Sequence, residues 1–311
     1  MKAVRESWPI SLHHFACHPI FRVLQCKVPE TKDNYNINIR HIKSNLFFDF
    51  LFLENPYYLS MLTKSKIAYI KSLHEKQGRR EAWCFLVEGR KCVEEFMASD
   101  FDIVEGFFLE EGEYGFPHEV ITPKELEKIS ALTSNNFWLV VVKMRSQGTG
   151  FLPAQEWRKQ NWLTLILDGI NDPGNLGTII RTADWYGITH IIASLDTVDC
   201  YSSKVIMATM GSFTRINISY LDLEKYLSSL SWSAIYWAYL DGESVYEKHF
   251  SPSPAYLVIG SESHGIRENL RKYITDPITI PRIGLAESLN AWVATAIILD
   301  NITREITRKK V

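Results

Sequence analysis

Cysteine is sparse and odd in number: Cys17, Cys26, Cys84, Cys92 and Cys200 are scattered over 311 residues. That excludes a disulfide framework and points to a reducing, cytoplasmic setting. Long apolar runs are also missing. A membrane helix needs about 20 such residues, and the longest candidate, residues 46–53, is short and interrupted by Asp49. The first fifteen residues, MKAVRESWPISLHHF, have no apolar core of the kind a secretory signal carries. Net positive charge is missing as well, with 34 Lys and Arg against 36 Asp and Glu. A nucleic-acid-binding chain usually has a basic footprint. Here it is local: residues 61–91 hold eight Lys or Arg against three Glu, whereas residues 92–130 hold two Lys against eleven acids. With 46% apolar and 23% charged residues, the composition is otherwise that of an ordinary globular protein.

The texture of the chain divides it. Residues 1–60 follow no sustained period of 3.6 or 2. They carry a cluster of His13, His14, Cys17, His18 and Cys26 whose spacing matches none of the usual zinc ligand pairs, and no metal site is expected. This segment reads as an extension of unassigned role, either disordered or the product of a mis-called start. Residues 61–147 read as a small α/β domain. It comprises one helix over 61–82 with a basic face, a strand WCFLVEG ending at Gly89, the helix RKCVEEFMAS, the strand DIVEGFFLEE, a helix opened by Thr122, and the strand FWLVVVKM. Residues 148–160, rich in Gly and Pro, read as a linker.

Residues 161–311 alternate between near-continuous apolar strands and helices, from LTLILDG to the long final helix SLNAWVATAIILDNITREI. That pattern implies a parallel sheet covered on both faces. Ligands of such sheets bind at the carboxyl ends of the strands. Three of those ends are rich in Gly and polar residues: 168–184 (DGINDPGNLGTIIRTAD), 260–266 (GSESHGI) and 280–290 (IPRIGLAESLN).

Familiar motifs fail on these loops. Gly169 and Gly174 have the spacing of a P-loop, but Asn175 replaces the lysine. No G-x-G-x-x-G follows a strand, so dinucleotide chemistry is excluded. Ser263 sits in S-E-S-H-G after a strand, yet His264 beside it is the last histidine in the chain. A nucleophile–acid–histidine order is therefore impossible.

Taken together the three loops resemble the SpoU (TrmH-like) family of RNA ribose 2'-O-methyltransferases, of the SPOUT class. The resemblance is carried by NLGTIIRTA (175–183), VIGSESHGI (258–266) and IPRIGLAESLNA (280–291), supported by KVIMATMGSF (204–213). Residues 61–150, with FLVEGRKCVEE, are similar to the ribosomal-protein-like RNA-binding domain that precedes the catalytic domain in many members. The resemblance implies a trefoil-knotted parallel α/β domain, a homodimer, no metal, and S-adenosylmethionine as cofactor. It implies that Asn175, Arg181, Glu262, Ser288 and Asn290 form the catalytic set. The cofactor would meet mostly backbone at Leu257, Ile259, Gly260, Ser261, Gly265, Ile280, Ser288, Leu289, Asn290 and Ala291. RNA would meet Arg79, Arg80, Arg90, Lys91, Arg181 and Lys204.

Each of these residues also has a plainer reading. Asn175 and Ser288 stand where helix N-caps are expected. Asn290 falls inside the expected final helix, where Asn is a modest helix former. Glu262 follows an apolar strand and needs partners, for which Arg181 or loop amides are the candidates. A guanidinium is essentially never deprotonated. Arg181 is therefore expected to grip phosphate and stabilise a developing alkoxide instead of acting as a base. The favoured substrate is structured RNA of the large ribosomal subunit. Transfer RNA, or a catalytically silent RNA-binding role in ribosome assembly, are the alternatives.

Overall fold

The computed structural model describes residues 62–132, 138–145, 163–230, 233–250, 255–262 and 264–308. The expectations for residues 1–60 and for the linker lie outside them. A four-stranded sheet comes first in the chain. Helices α1 (Lys64–Ser72) and α2 (Lys76–Ala82) lead into β1 (Cys84–Glu88), followed by α3 (Arg90–Met97), β2 (Ile103–Phe108), β3 (His118–Val120), α4 (Pro123–Ile129) and β4 (Trp138–Lys143). The order is β1-β4-β2-β3. β4 runs antiparallel to both β1 and β2, and β3 runs parallel to β2.

The single helix expected over 61–82 is broken at Leu73–Glu75, because Leu73 closes α1 and Glu75 opens α2. The expected Thr122 cap is a full capping box: its hydroxyl accepts from Glu125 N, and the Glu125 carboxylate accepts from Thr122 N at 2.9 Å.

The second sheet has six strands, all parallel, in the order β10-β8-β9-β5-β6-β7. It is built from β5 (Leu163–Asp168), α5 (Pro173–Trp185), β6 (His190–Ser194), α6 (Ser203–Ala208), a 3₁₀ turn (Ser212–Arg215), β7 (Asn217–Leu221), α7 (Leu223–Ser228), β8 (Ala234–Ser244), β9 (Ala255–Gly260), α8 (Glu268–Arg271), β10 (Asp276–Thr279) and α9 (Ala291–Arg308). β5 is buried along its whole length, and β9 is buried except at Gly260, as a sheet covered on both faces requires. Helix α9 packs against α5 and β9.

The two sheets share a core. Phe85, Phe96 and Phe101 of the first pack with Tyr201 and Phe213 of the second in a mixture of edge-to-face, tilted and stacked pairs, at centroid separations of 4.8–6.3 Å. Beneath them Arg79, 2% exposed, gives two bonds to Asp199 at 2.5 and 3.2 Å and two more to the carbonyls of Leu73 and His74. On the outer side Arg215 bridges Glu95 of α3 and Asp184 of α5, and both carboxylates hold its guanidinium above the usual arginine range.

Candidate functional site

The carboxyl ends of β5, β9 and β10 bring the three loops together. β5 ends in Asp168 and turns sharply at Gly169, whose φ of +69° is one that side chains seldom adopt. Gly169 N donates to Ser194 Oγ at 2.9 Å. The next loop is hooked onto the same strand end. Arg267 donates its backbone N–H to Asp168 Oδ2 at 2.8 Å, and its guanidinium meets Oδ1 at 2.5 Å. Nearby, the Ser194 hydroxyl holds the Asp196 carboxyl below its ordinary range.

After β9 the chain folds back on itself, with Ser261 and Gly265 exchanging backbone hydrogen bonds at 2.9 and 3.1 Å. A side chain on Gly260 would approach the carbonyl carbon of Gly265 to 2.3 Å, so this hairpin requires glycine.

A chain of side-chain hydrogen bonds joins the three loops. Asn175 Nδ2 donates to Glu262 Oε1 at 2.9 Å, and Asn290 Nδ2 donates to Asn175 Oδ1 at 3.1 Å. Trp292 N donates to Asn290 Oδ1 at 3.0 Å, and Ala291 N donates to Glu262 Oε1 at 3.3 Å. An ionised carboxylate only accepts, so Glu262 fixes which way the Asn175 amide faces, and Asn175 in turn fixes Asn290.

Several expectations need correcting here. The cap of α5 is Asp172, which accepts from Asn175 N at 2.8 Å; Pro173 holds the first helical position, and Asn175 lies within the first turn. Its side chain is thereby free to cross to Glu262. Asn290, not Ser288, caps α9. Ser288 stands in an exposed loop over residues 281–289. Glu262 is exposed and bonds Asn175 and the Ala291 amide, not Arg181.

Arg181 projects from the outer stripe of α5 that also holds Gly174, the partly exposed Thr178 and Trp185, the last 84% exposed. It makes no hydrogen bond or ion pair among the described residues. Arg79 is removed from the RNA-facing set by its burial against Asp199. Arg80, Arg90, Lys91 and Lys204 are exposed, with Arg90 held by Glu94 and stacked over Trp138.

Beside the hydrogen-bond chain opens a cavity of about 530 Å³. Of the ten positions that the family resemblance assigns to the cofactor, eight line it: Ile259, Gly260, Ser261, Gly265, Ile280, Ser288, Leu289 and Ala291. Leu257 does not line it; this residue is fully buried inside β9 between Leu165 and Tyr236. Asn290 stays in the hydrogen-bond chain and does not line the cavity either. The far wall was not foreseen from the sequence; it consists of Trp237 and Tyr239 from β8, Ile278 and Thr279 from β10, and Arg271. The Arg271 guanidinium stands 5.4 Å from the Trp237 ring centre. The only signal for that wall is the aromatic cluster YWAY toward the end of a strand. The size and mixed lining suit a ligand with an aromatic ring and a charged, polar end, which S-adenosylmethionine is. Among the described residues no three His, Cys, Asp or Glu gather as a metal site, and no helix is long and apolar enough to cross a membrane.

Residues 162–300 match the SpoU rRNA methylase family, and residues 64–141 match the MRM3-like substrate binding domain. A 23S rRNA (guanosine(2553)-2'-O)-methyltransferase of Bacillus subtilis is 27% identical over 236 residues, covering 75% of this chain and 94% of that one. The structure of a TrmH-family protein from Porphyromonas gingivalis is 32% identical, covers 79% of this chain and 99% of its own, and superposes with a TM-score of 0.68. An AdoMet-bound rRNA methyltransferase from Sinorhizobium meliloti is 26% identical, covers 79% and 97%, and gives 0.71.

Proposed function

The chain belongs to the SpoU (TrmH-like) family of S-adenosylmethionine-dependent RNA methyltransferases, and from that premise we propose that it methylates a ribose 2'-oxygen in 23S ribosomal RNA. The observation that carries this reading is the bond chain Glu262–Asn175–Asn290, which ties three loops into one rigid rim beside the cavity. The bound cofactor supplies the methyl group. What remains for the protein is alignment of acceptor and donor, which is where a large share of the rate comes from. Asn175, Glu262 and Asn290 hold the rim, and Ser288 faces the cavity from the loop before α9. Arg181, exposed and without a partner among the described residues, grips a phosphate and the developing alkoxide with its fork of donors.

The large-subunit target is supported by the relative in Bacillus subtilis, whose name gives 23S rRNA as its substrate. The enzyme works in the cytoplasm as a homodimer, in which a second copy covers apolar groups that a lone subunit leaves bare: Ile283, Leu285 and Trp185. We also read the return of the chain from β10 through the 281–289 loop into α9 as the family's trefoil knot, and residues 61–147 as the RNA-binding domain.

The test is tritium transfer from labelled S-adenosylmethionine to total RNA of a strain lacking the gene, followed by mapping of 2'-O-methyl sites. Incorporation into 23S rRNA at a single ribose supports the reading. Incorporation into transfer RNA moves the substrate, and no incorporation into any RNA removes the activity.

A further inference from the structure

A second recess, of about 150 Å³ and sharing no lining residue with the cofactor cavity, lies where the two sheets meet. Its walls come from both: Lys76, Arg80, Trp83 and Arg145 from the first, and Leu195, Tyr201 and Tyr220 among those from the second. Lys76 and Arg80 are i and i+4 on α2, so they share one face, and Trp83 continues that stripe one turn further. Two like charges at that spacing repel each other within a helix. Neither has a hydrogen bond or ion pair among the described residues, and both are exposed. The Asp199 carboxylate lining the recess is already engaged by buried Arg79, so it does not neutralise them. Arg145 is held by Asp100 and by the Thr214 carbonyl, with its guanidinium over the Phe101 ring.

Trp83 is the anomaly. It is the residue that terminates α2, at φ 55° and ψ 32°, a left-handed conformation that glycine or asparagine normally takes. A bulky residue there costs roughly 1–2 kcal/mol. Half of its surface, 49%, nevertheless faces solvent, so core packing accounts for only part of the indole. Its backbone is pinned: the N–H donates to Arg79 O, and the carbonyl accepts from Met144 N at 3.0 Å. The strained corner thus presents a large flat ring beside two free cations. An outlier of this kind is a starting point for a functional hypothesis.

The recess also lies on the catalytic edge of the six-stranded sheet. Leu195, 67% exposed, directly follows the last residue of β6, and β6 pairs with β5, whose end turns at Gly169 into the loop carrying Asn175 and Arg181. A strand of RNA crossing the ends of β5 and β6 reaches this recess next.

We propose that the recess is a docking site for an unpaired nucleotide of the RNA substrate flanking the methylated one, its base stacked on Trp83 and its phosphate held by Lys76 and Arg80. The proposal rests on the RNA-methylating reading above and adds where the strand is held. Stacking on an aromatic ring is tolerant of sequence and contributes about 1–3 kcal/mol per base. Removing one cation that neutralises a phosphate lowers the salt dependence of binding by about one unit of slope.

The test uses the full chain and two probes, a fluorescein-labelled mixed-sequence oligoribonucleotide of about 20 unpaired nucleotides and a blunt RNA duplex of the same length, the first exceeding the roughly 4–16 nucleotides of a typical single-strand site. Trp83→Ala should weaken single-strand binding between about fivefold and a hundredfold, while Trp83→Phe restores most of it and duplex binding stays as it was. The Lys76→Glu, Arg80→Glu variant should flatten the plot of log affinity against log salt by about 0.7 of a unit, because the two cations neutralise one phosphate of a single strand. Calorimetric S-adenosylmethionine affinity and melting temperature are followed on the same samples, so a variant that merely unfolds is recognised by loss of cofactor binding. Folded Trp83→Ala protein that binds the single strand as tightly as the parent overturns the site, as does an unchanged slope in the folded Lys76→Glu, Arg80→Glu variant. So does an equal loss on duplex. Because binding is read without methyl transfer, failure of the enzymatic reading and failure of this site give separate results.

Discussion

Two arginines set the junction of the sheets against the loop rim. Arg79 lies under the aromatic layer where the sheets meet, and every direction its fork points in ends on an oxygen: Asp199, Leu73 O, His74 O. Arg181 stands on the open stripe of α5 with no partner among the described residues. The sequence leads to the expectation that both touch RNA. The contrast separates a guanidinium spent on holding the protein together from one left available to a ligand. An unpaired buried charge is strongly unfavourable, so burial obliges pairing. At an exposed position no such obligation exists, and a fork of donors without partners reads as a binding device.

The largest effect that would break the comparison is on stability. Arg79→Ala leaves the part-buried Asp199 carboxylate with only the Tyr201 N–H and empties the buried Arg79 site; it should lower unfolding free energy by up to about 3–5 kcal/mol, the loss typical of breaking a buried pair, read from denaturant midpoints. Arg79→Ala with Asp199→Asn should recover part of that loss. If the single variant unfolds like the parent, Arg79 is not a structural tie. Arg181→Lys should leave the denaturation curve and cofactor affinity in place and reduce single-turnover methylation by about a hundredfold or more, the scale of losing one oxyanion donor. Near-normal turnover would return Arg181 to the surface.

Asn175 tests the rim that stands between these extremes. Its bond to a carboxylate is worth about 1.5–3 kcal/mol, so Asn175→Ala should slow turnover by about tenfold or more. Because Asn290 is oriented through Asn175, the same substitution on an Asn290→Ala background should have a smaller effect. Additive losses would mean that the two act separately.

The smallest effect lies at the Thr122 box. Burial alone would raise the Glu125 carboxyl, but hydrogen bonds from Thr122 and Leu62 prevail and hold it below its ordinary value of 4.5. A depressed acid stabilises the fold above its unfolded value and loses that contribution as pH falls through the folded one. The box should therefore be fully effective at neutral pH, where Thr122→Ala costs about 1 kcal/mol. The difference between variant and parent should close below pH 4.5. A difference that persists at low pH would assign the effect to the hydroxyl alone.

Local signals in the sequence carried the parallel sheet and the three loops, because strand–helix alternation and glycine-rich strand ends are short-range features. The start of α5 was also legible, since Asp172-Pro173 is an N-cap followed by a first-position proline; reading Asn175 as the cap placed the start three residues late. β3 was not legible, because three residues at a sheet edge show no period. Neither was the fate of Arg79, whose partner lies 120 residues away. The wall made by Trp237 and Tyr239 was hidden for a related reason: an aromatic pair in a strand reads as core, and only the position of β8 between β9 and β10 opens it to the cavity.

The strand order also has a consequence in time. β9, which sits beside β5 in the middle of the sheet, is made about ninety residues after it, and β8 and β10 are added on its far side. On a ribosome adding about 5–20 residues each second, β5 and β6 wait several seconds for the neighbour that completes their sheet, and Asn175 waits longer still for Asn290. During that interval β5 carries a bare apolar edge, the kind of surface that chaperones protect and that pairs wrongly with other chains. The first sheet is under no such delay, since all of its strands have emerged by Lys143. Synthesis thus delivers every strand of the first sheet while the methyl-transfer centre is still in pieces. A nascent chain halted before Ala255 should resist protease over residues 62–145 more than beyond them.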